Sequence, residues 1–472
     1  MRDNGEYPHY FLIILKYKSL SDDIYFLCGR KRMNIYFVSL GCDKNLTNSE
    51  EMLGLLYKNG YSFTDDESLA DAVVINTCAF IGDAKEESIN TILEFAELKN
   101  QNKLKAVIVT GCLAERYKNE IMKEIPEVDA ILGTTSYDEI VKAVNEALKG
   151  NKTQVYKDIN RLVETDADRI NTTGGYFAHL KIAEGCNKRC TYCIIPKMRG
   201  NYRSIPVEKL VNEARKLAIK GIKELILVAQ ETTVYGIDLY GKKSLHVLLN
   251  ELCKVEGIEF IRVMYCYPEE IYDEFIVTMK NQKKICHYID MPIQHCNNEI
   301  LKSMGRKTNK TQLTETIKKI REAIPDIVLR TTLISGFPGE TQKQHEELME
   351  FVDEMEFERL GVFTYSREED TVAALMSNQV PENIKNKRKE EIMLLQQDIV
   401  FENGEAMVGK IFDVLIEGKL VDENVYVGRT YMDAPGIDGN VFVECDDELF
   451  TGDIIKAAIT GASEYDLTGI RA

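Results

Sequence analysis

The chain has 472 residues, 44% of them hydrophobic and 29% charged, which is the composition of a globular protein with about two to four domains. Its formal net charge of −17 argues against non-specific binding to nucleic acid or to an anionic membrane surface. No apolar run approaches the roughly 20 residues of a membrane span. Twelve cysteines without a secretion signal favour a reducing compartment, so we expect a cytoplasmic location.

Residues 1–32 precede the first clear strand pattern, and the sequence assigns no function to this N-terminal extension. From Met33 onward strands alternate with helices, which predicts a domain with a parallel sheet over residues 33–150. The helix predicted over residues 84–98 has four apolar residues on its expected buried side: Ile89, Ile92, Leu93 and Phe95. Residues 151–175 lack periodicity and end in Asn-Thr-Thr-Gly-Gly, so we expect a linker there.

Three predicted strands of this first domain each end at a cysteine, namely Cys42, Cys78 and Cys112. Parallel strands place their carboxyl ends on one edge of a sheet, so these side chains should converge. A single cysteine after a strand is often just a small buried hydrophobic residue. Three in register favour a metal site with three thiolate ligands, of the kind that binds an iron–sulfur cluster.

The densest cysteine pattern lies just beyond the linker, where Cys186, Cys190 and Cys193 are spaced C-x3-C-x2-C. Cysteine is the usual ligand of iron–sulfur clusters. With no fourth cysteine nearby, one iron of a four-iron cluster would keep a free position, as catalytic metal sites do. A zinc knuckle is the alternative, but paired C-x2-C units or histidines at ligand spacing are absent from this stretch.

The central segment, residues 172–403, contains six predicted strands separated by helices: 176–183, 224–229, 260–265, 287–292, 327–335 and 360–365. Six such units predict an incomplete parallel barrel, a partial (β/α)6 fold whose active site lies at the carboxyl ends of its strands. The cysteine motif directly follows the first strand. Arg262, Gln294 and His295 could contact a cofactor or substrate there, although a lone Arg or His is as often structural.

From Gly404 to the last residue, short strands separated by glycine-containing turns predict a small antiparallel β-barrel. Residues 404–472 contain 14 Asp plus Glu and 5 Lys plus Arg, a net charge of −9. Such a surface disfavours phosphate contacts, which makes nucleic-acid binding unlikely, and it complements a basic polypeptide. Ordinary solubilising charge is the alternative explanation.

The pattern C-x3-C-x-aromatic-C after a first barrel strand resembles that of the radical S-adenosylmethionine superfamily. The resemblance implies that Cys186, Cys190 and Cys193 hold a 4Fe–4S cluster and are the catalytic cysteines. In that superfamily the open iron of the cluster binds the amino and carboxylate groups of S-adenosylmethionine, and the resemblance implies that Tyr192 lies near the adenine.

Further stretches of the chain match cofactor-binding positions of the same superfamily. Residues 228–231 correspond to the place where it holds the methionine moiety, and residues 333–340 resemble its glycine-containing motif on the adenine side. The cofactor contacts expected from the resemblance and from strand-end position are Tyr192, Gln230, Glu231, Arg262, Gly336 and Glu340.

The order of a βα domain with three cysteines, a radical S-adenosylmethionine barrel and a TRAM-like barrel resembles the methylthiotransferases over residues 33–472. Several stretches resemble the RimO branch, namely residues 41–45, 79–81, 229–236 and 432–439. That branch modifies an aspartate of small-subunit ribosomal protein twelve. The resemblance implies two 4Fe–4S clusters, the second on Cys42, Cys78 and Cys112, an external electron donor and sulfur source, and a basic ribosomal protein as substrate.

Two alternatives remain at this point. Another branch methylthiolates an adenosine in transfer RNA and typically carries a Gly-Gln-Asn-Val-Asn type of sequence, where this chain has Ala229-Gln230-Glu231-Thr232-Thr233. The alternative from another class is an iron–sulfur electron-transfer or cluster-carrier protein that performs no substrate chemistry.

Overall fold

The computed structural model describes residues 33–421 and 423–472, so the predicted extension over residues 1–32 lies outside the described residues. The described chain forms two compact units. The first contains residues 33–172, 184–188 and 193–203, and the second contains residues 173–183, 189–192 and 204–472. Across the described ranges, every helix is too short or too polar to cross a membrane.

The first unit is built on an open sheet of six parallel strands in the order β2-β1-β3-β4-β5-β6. The strands are β1 Asn34–Ser39, β2 Ser62–Phe63, β3 Ala72–Thr77, β4 Ala106–Gly111, β5 Ala130–Leu132 and β6 Thr153–Val155. The helices are α1 Asp43–Lys58, α2 Gly82–Asn100, α3 Cys112–Glu124 and α4 Ile140–Leu148.

Helices cover both faces of this sheet, which explains why β3 and β4 are buried at every position. On one face, Ile35 and Val74 pack against Leu53 of α1 and Val144 of α4. On the other face, strand residues pack against Ile92 and Phe95 of α2 and Leu113 and Ile121 of α3. The alternating strands and helices predicted from the sequence therefore form a doubly wound layer.

The prediction for the buried side of α2 is wrong at two positions. Ile89 and Leu93 are 41% and 48% exposed, whereas Ile92, Phe95 and Ala96 are buried. Together with the buried Ser88, the latter residues form one stripe at spacings of three and four residues, and Ile89 and Leu93 lie one position off that stripe.

The linker predicted over residues 151–175 is also wrong for most of its length. β6 adds a parallel strand next to β5, and Val163, Ala167 and Ile170 pack against the core of the first unit. The Arg169 side chain forms a buried ion pair with Glu50 at 3.2 Å. Irregular backbone fixed by such contacts has no sequence periodicity, although it belongs to the folded unit.

The second unit contains six parallel strands in the order β14-β13-β12-β11-β10-β7. They are β7 Phe177–Lys181, β10 Glu224–Val228, β11 Phe260–Val263, β12 Ile285–Asp290, β13 Val328–Ser335 and β14 Arg359–Thr364. The chain between β7 and β10 forms β8 Ala183–Glu184, α5 Ile195–Arg199, β9 Arg203–Ser204 and α6 Val207–Ile219. This sheet of six βα units, with β7 and β14 at its edges, confirms the predicted incomplete barrel.

Helices connect the remaining strands of this sheet. They are α7 Ile237–Tyr240, α8 Leu245–Leu252, α9 Asp273–Asn281, α10 Asn298–Ser303, α11 Lys310–Ala323 and α12 Gln342–Met355, and a last one, α13 Glu382–Glu405, leads from β14 to the C-terminal barrel. Pro381 precedes α13, consistent with the preference of proline for helix starts.

The C-terminal part of the second unit is the predicted small barrel, which closes in the order β15-β16-β17-β19-β18. Its strands are β15 Ile411–Lys419, β16 Val425–Arg429, β17 Val441–Glu444, β18 Ile454–Ala462 and β19 Leu467–Arg471. Four of the strand pairs are antiparallel, and β17 with β19 is parallel. The last strand, β19, has only weak alternation in its sequence, because its two inward positions are Leu467 and a glycine.

Buried charges attach this barrel to the sheet. The carboxylate of Glu224, the first residue of β10, accepts hydrogen bonds from Arg262 at 2.8 Å and from Arg429 of the barrel at 2.7 Å. Nearby, Arg359 of β14 pairs with Asp433, and Arg330 of β13 with Asp438. Burial raises the cost of an unpaired charge, so each of these groups depends on its partner.

Replacing Glu224 by alanine should destabilise the protein strongly, because Arg262 and Arg429 would lose the carboxylate that they share. We expect the free energy of unfolding to fall by about 3–5 kcal/mol in urea denaturation followed by circular dichroism. Glu251→Ala is the control, since Glu251 forms a solvent-exposed pair with Lys254 and should contribute only about 0.2–1 kcal/mol. Similar losses in the two variants would contradict this role of Glu224.

Candidate metal centre

The three strand-end cysteines lie at the carboxyl ends of neighbouring strands in the first unit. Cys42 is the residue before α1, Cys78 directly follows β3, and Cys112 begins α3 directly after β4. In this strand order the direction of winding reverses between β1 and β3, and ligands of doubly wound sheets bind at such a reversal. Cys42 and Cys78 follow those two strands.

Glycine at position 41 lets the backbone approach Cys78. Gly41 has a φ of +90°, and a Cβ at this position would lie 2.7 Å from the Cβ and 2.9 Å from the Sγ of Cys78. Gly111 has a φ of +93° and equally close neighbours in Asn76 and Thr77. Both glycines therefore permit conformations and contacts that other residues would disturb.

The guanidinium of Arg199 lies against these thiols. Its Nη2 donates hydrogen bonds to Cys112 Sγ at 3.2 Å and to Asn45 Oδ1 at 2.9 Å, and its Nη1 lies 3.4 Å from Glu184 Oε2. Burial, followed by the proximity of Cys112 and Cys42, raises the pKa of the Cys78 thiol. Burial also raises the pKa of Cys112, and the charge of Arg199 opposes that shift.

The donor chemistry of this site fits an iron–sulfur cluster. Within residues 33–421 and 423–472, no group of three or more His, Cys, Asp or Glu side chains stands in an arrangement that could hold a metal ion. The three thiols are nevertheless close enough to influence one another electrostatically, and a buried cation lies beside Cys112. Cysteines are the usual ligands of iron–sulfur clusters. That cation favours the thiolate form that metal binding requires.

The cysteines of the C-x3-C-x2-C motif are divided between the two units. Cys186 and Cys193 belong to the first unit and Cys190 to the second. In the first unit, the backbone N–H of Lys188 donates to Cys186 Sγ at 3.4 Å, and the N–H of Cys186 donates to the carbonyl of Gly200 at 3.1 Å. Gly185, at a φ of +78°, brings this loop close to the backbone of Asn201.

In the second unit, Tyr267 connects Cys190 with the end of β10. Its hydroxyl lies 3.9 Å from Cys190 Sγ, and its backbone N–H lies 3.5 Å from Glu231 Oε1 and donates to Thr233 Oγ1 at 3.2 Å. The guanidinium of Arg306 lies 4.2 Å from the centre of the Tyr267 ring. The sequence gives no local signal for Tyr267 or Arg306, because both are brought to the edge by loops.

The predicted cofactor contacts Tyr192, Gln230 and Glu231 lie on loops of the second unit. Gln230 is half-buried and Glu231 is buried, directly after β10. The carboxylate of Glu231 accepts from the backbone N–H of Thr233 at 2.9 Å. Tyr192 packs edge to face against Phe337 at a centroid distance of 6.4 Å, next to the predicted contact Gly336.

Glu340 stabilises the turn after β13. Its Oε2 accepts from the backbone N–H groups of Gly336 at 2.9 Å and Phe337 at 3.2 Å, and its Oε1 accepts from Arg388 at 2.9 Å. Gly336 has a φ of +74°, and a Cβ there would overlap the Lys385 side chain. Glu340 thus fixes the backbone of the glycine-containing motif, residues 333–340, which was predicted to lie on the adenine side of the cofactor.

His295 belongs to the same buried network. Its Nδ1 accepts from the backbone N–H groups of Cys296 and Asn297, both at 2.9 Å, and its Nε2 lies 3.8 Å from Glu340 Oε2. Burial, together with the charges of His345 and Arg388, lowers the pKa of His295 to about 3, so the imidazole is neutral at pH 7. These contacts favour the structural alternative for His295.

Arg262 lies elsewhere than predicted. It is the third residue of β11, only 1% exposed, and donates to Glu224 and to the carbonyl oxygens of Tyr431 and Thr430 in the C-terminal barrel. Its strand position could not reveal this role, because the side chain faces a barrel that is distant in sequence.

Three known protein families match successive parts of this chain. Residues 34–133 match the family described as uncharacterized protein family UPF0004, residues 180–352 the radical SAM superfamily, and residues 408–471 the TRAM domain. A protein of Lachnoclostridium phytofermentans named ribosomal protein uS12 methylthiotransferase RimO is 60% identical over 437 residues, 93% of this chain and 99% of that protein. One of the same name from Clostridioides difficile is 49% identical, over 93% of this chain and 98% of that protein.

These findings define an enzyme of the radical S-adenosylmethionine methylthiotransferase class. This assignment to an enzyme class favours the methylthiotransferase prediction over the alternative of an electron-transfer or cluster-carrier protein. Within this class, the chain belongs to the RimO family. The names of these relatives do not favour the transfer-RNA alternative.

Solved structures share the fold at low sequence identity. The radical S-adenosylmethionine methyltransferase TsrM from Kitasatospora setae, with tryptophan and an analogue of S-adenosylmethionine bound, has a TM-score of 0.51 at 13% identity and covers 70% of this chain and 73% of its own. Its complex with cobalamin and a [4Fe-4S] cluster has a TM-score of 0.53 at 12% identity, with coverages of 73% and 74%. This likeness concerns the fold alone.

The contact between Gly41 and Cys78 can be tested with a pair of glycine variants. Gly41 and Gly60 have φ values of +90° and +88°, but an added Cβ meets nothing within 4 Å at Gly60. Both alanine variants should lose about 1–2 kcal/mol of stability through backbone strain. Gly41→Ala should lose about 1–3 kcal/mol more, because its methyl group overlaps Cys78. Equal free energies of unfolding in urea would show that the approach to Cys78 is unimportant.

Proposed function

We propose that this protein attaches a methylthio group to the β-carbon of an aspartate in ribosomal protein uS12. The observation that carries this proposal is the 60% identity, over 93% of the chain, to a protein named ribosomal protein uS12 methylthiotransferase RimO. The two cysteine triads supply a chemical basis for it, since the reaction needs both a hydrogen-abstracting radical and a sulfur atom.

Each triad has a separate task in this proposal. Cys186, Cys190 and Cys193 hold a 4Fe–4S cluster with one open iron, and Cys42, Cys78 and Cys112 hold a second cluster. When bound, the clusters and S-adenosylmethionine supply one-electron reduction of a sulfonium, a carbon radical and a transferable methylthio group. Electrons and replacement sulfur come from an external donor and an external source.

Residues of the second unit bind and orient S-adenosylmethionine. Gln230 and Glu231 lie at the position expected for the methionine moiety, and Tyr192 contributes an aromatic edge beside Phe337 on the expected adenine side. Glu340 acts indirectly, because its carboxylate fixes the backbone of Gly336 and Phe337. Arg262 is left out of this set because it serves the attachment of the C-terminal barrel.

The C-terminal barrel provides an acidic surface for a basic ribosomal protein. Glu417, Asp433 and Asp438 form ion pairs with arginines at buried or half-buried positions and contribute little to that surface. The exposed acids after the start of β17 are Glu444, Asp446, Asp447, Glu448 and Glu464, of which Asp447 pairs with Arg471. The negative charge of these side chains favours a cationic partner over a phosphate backbone, which suits a protein substrate. The proposal includes a cytoplasmic location and no role for nucleic acid or membrane.

The division of labour between the triads predicts different defects for two alanine variants. Cys186→Ala should abolish reductive cleavage of S-adenosylmethionine by the anaerobically reduced protein, because the radical-generating cluster loses a ligand. Cys78→Ala should retain cleavage but stop methylthiolation of uS12. Chromatography of 5′-deoxyadenosine and mass spectrometry of uS12 measure the two activities separately.

Cys253→Ala is the control for these variants, because Cys253 is half-buried just after α8 and lies outside both triads. It should retain both activities. Loss of cleavage and methylthiolation to the same degree in Cys78→Ala would contradict the proposed division.

The substrate assignment is tested in cells. Deleting the gene should leave the uS12 aspartate unmodified, and intact-protein and peptide mass spectrometry should show loss of the mass of the methylthio group. Nucleoside analysis of transfer RNA from the same strain should show no change. If the aspartate keeps its added mass in the deletion strain, the proposed substrate is wrong.

A further inference from the structure

Arg199 is a buried cation whose contacts lie at the strand-end thiols. It is the last residue of α5, six positions after Cys193, and its side chain is 2% exposed. A buried guanidinium is costly unless compensated, and its closest charged neighbour, Glu184, is 3.4 Å away. Cys112 Sγ is nearer, at 3.2 Å. The cost of burying the Arg199 guanidinium is therefore lowest when the sulfur of Cys112 carries negative charge.

The guanidinium is held in place by the ends of the strands themselves. Asn45, which accepts from Arg199, donates through its Nδ2 to the carbonyl oxygens of Leu40 at 2.6 Å and of Thr77 at 3.3 Å. The Asn45 backbone carbonyl accepts from the Asn76 side chain at 2.9 Å. The cation is thus fixed relative to the backbone that carries the cysteines, so its field at the sulfur is preorganised.

A fixed positive charge beside a cluster ligand favours whichever cluster state carries more negative charge. Hydrogen bonds to cluster sulfurs and nearby charge are among the factors that set the reduction potential of an iron–sulfur cluster. One-electron reduction adds one negative charge to the cluster and its thiolates. A donor at Cys112 Sγ should therefore make that reduction easier.

We infer that Arg199 is a positioning residue that donates an N–H···S hydrogen bond to the cluster ligand Cys112 and thereby raises the reduction potential of the cluster at Cys42, Cys78 and Cys112. The inference rests on the proposed function, because it requires a cluster at that site. Arg199 and its partner Glu184 flank Cys186 and Cys193 in the chain, so the residue proposed to tune the strand-end cluster belongs to the segment that carries the other cysteine motif.

The test uses the full chain with Cys186, Cys190 and Cys193 all replaced by alanine, so that the strand-end triad is the one under observation. After anaerobic reconstitution with ferrous iron and sulfide, the midpoint potential is measured by titration with dithionite, followed by electron paramagnetic resonance. Arg199→Gln should lower the equilibrium constant for reduction about tenfold, which is about 59 mV for a one-electron couple.

Arg169→Gln is the matched control, because Arg169 is also buried in the first unit but pairs with Glu50. It removes a buried cation and should leave the potential unchanged. Arg199→Lys keeps the charge without the guanidinium fork and should lower the equilibrium constant about threefold. It decides the question if Arg199→Gln fails to retain iron.

The outcomes separate this inference from the function on which it rests. If Arg199→Gln has the same potential as the triple-alanine parent, the role of Arg199 is overturned and the second cluster still stands. If the glutamine variant binds no iron, an unchanged potential in Arg199→Lys has the same meaning. An equal shift in Arg169→Gln would also overturn it, because the effect would then be a general loss of charge. Failure of the triple-alanine parent to bind a cluster would overturn the proposed second cluster itself.

Discussion

Parallel pairing of strands is the constraint on which both candidate sites depend. In the first unit it gathers Cys42, Cys78 and Cys112 from distant parts of the chain at the carboxyl ends of β1, β3 and β4. In the second unit the same constraint brings the loops after β10, β11 and β13 to one edge. Each sheet is covered by packed elements, which fix the carboxyl ends of its strands. The candidate functional residues lie on the loops that follow those strand ends.

Buried charge is the second organising feature, and it has different consequences in the two units. Glu224 links Arg262 and Arg429 and so fixes the C-terminal barrel to the sheet, a mainly structural use of ion pairs. Arg199 instead donates a hydrogen bond to the sulfur of Cys112. A cation beside a sulfur favours the thiolate form, which is the form that binds metal, so we propose that this charge serves metal binding as well as the fold.

Periodicity and cysteine spacing allowed much of this arrangement to be predicted. The strand predicted over residues 224–229 is Glu224–Val228, and the strand-end position of the three cysteines followed from the parallel sheet. Short or weakly patterned elements were missed, such as β5 and β6 with three residues each, and α3, whose N-cap residue Gly111 has no side chain to cap it. Arg199 and Tyr267 act through contacts distant in sequence, which no local pattern encodes.

The central claim is that the chain holds two clusters, one on each cysteine triad. Iron and sulfide analysis with Mössbauer spectroscopy of the anaerobically reconstituted protein tests it most directly. The account predicts about eight irons per chain, four for each 4Fe–4S cluster, with about four left when either triad is replaced by alanine. About four irons in the unaltered protein, all lost with Cys186, Cys190 and Cys193, would contradict it.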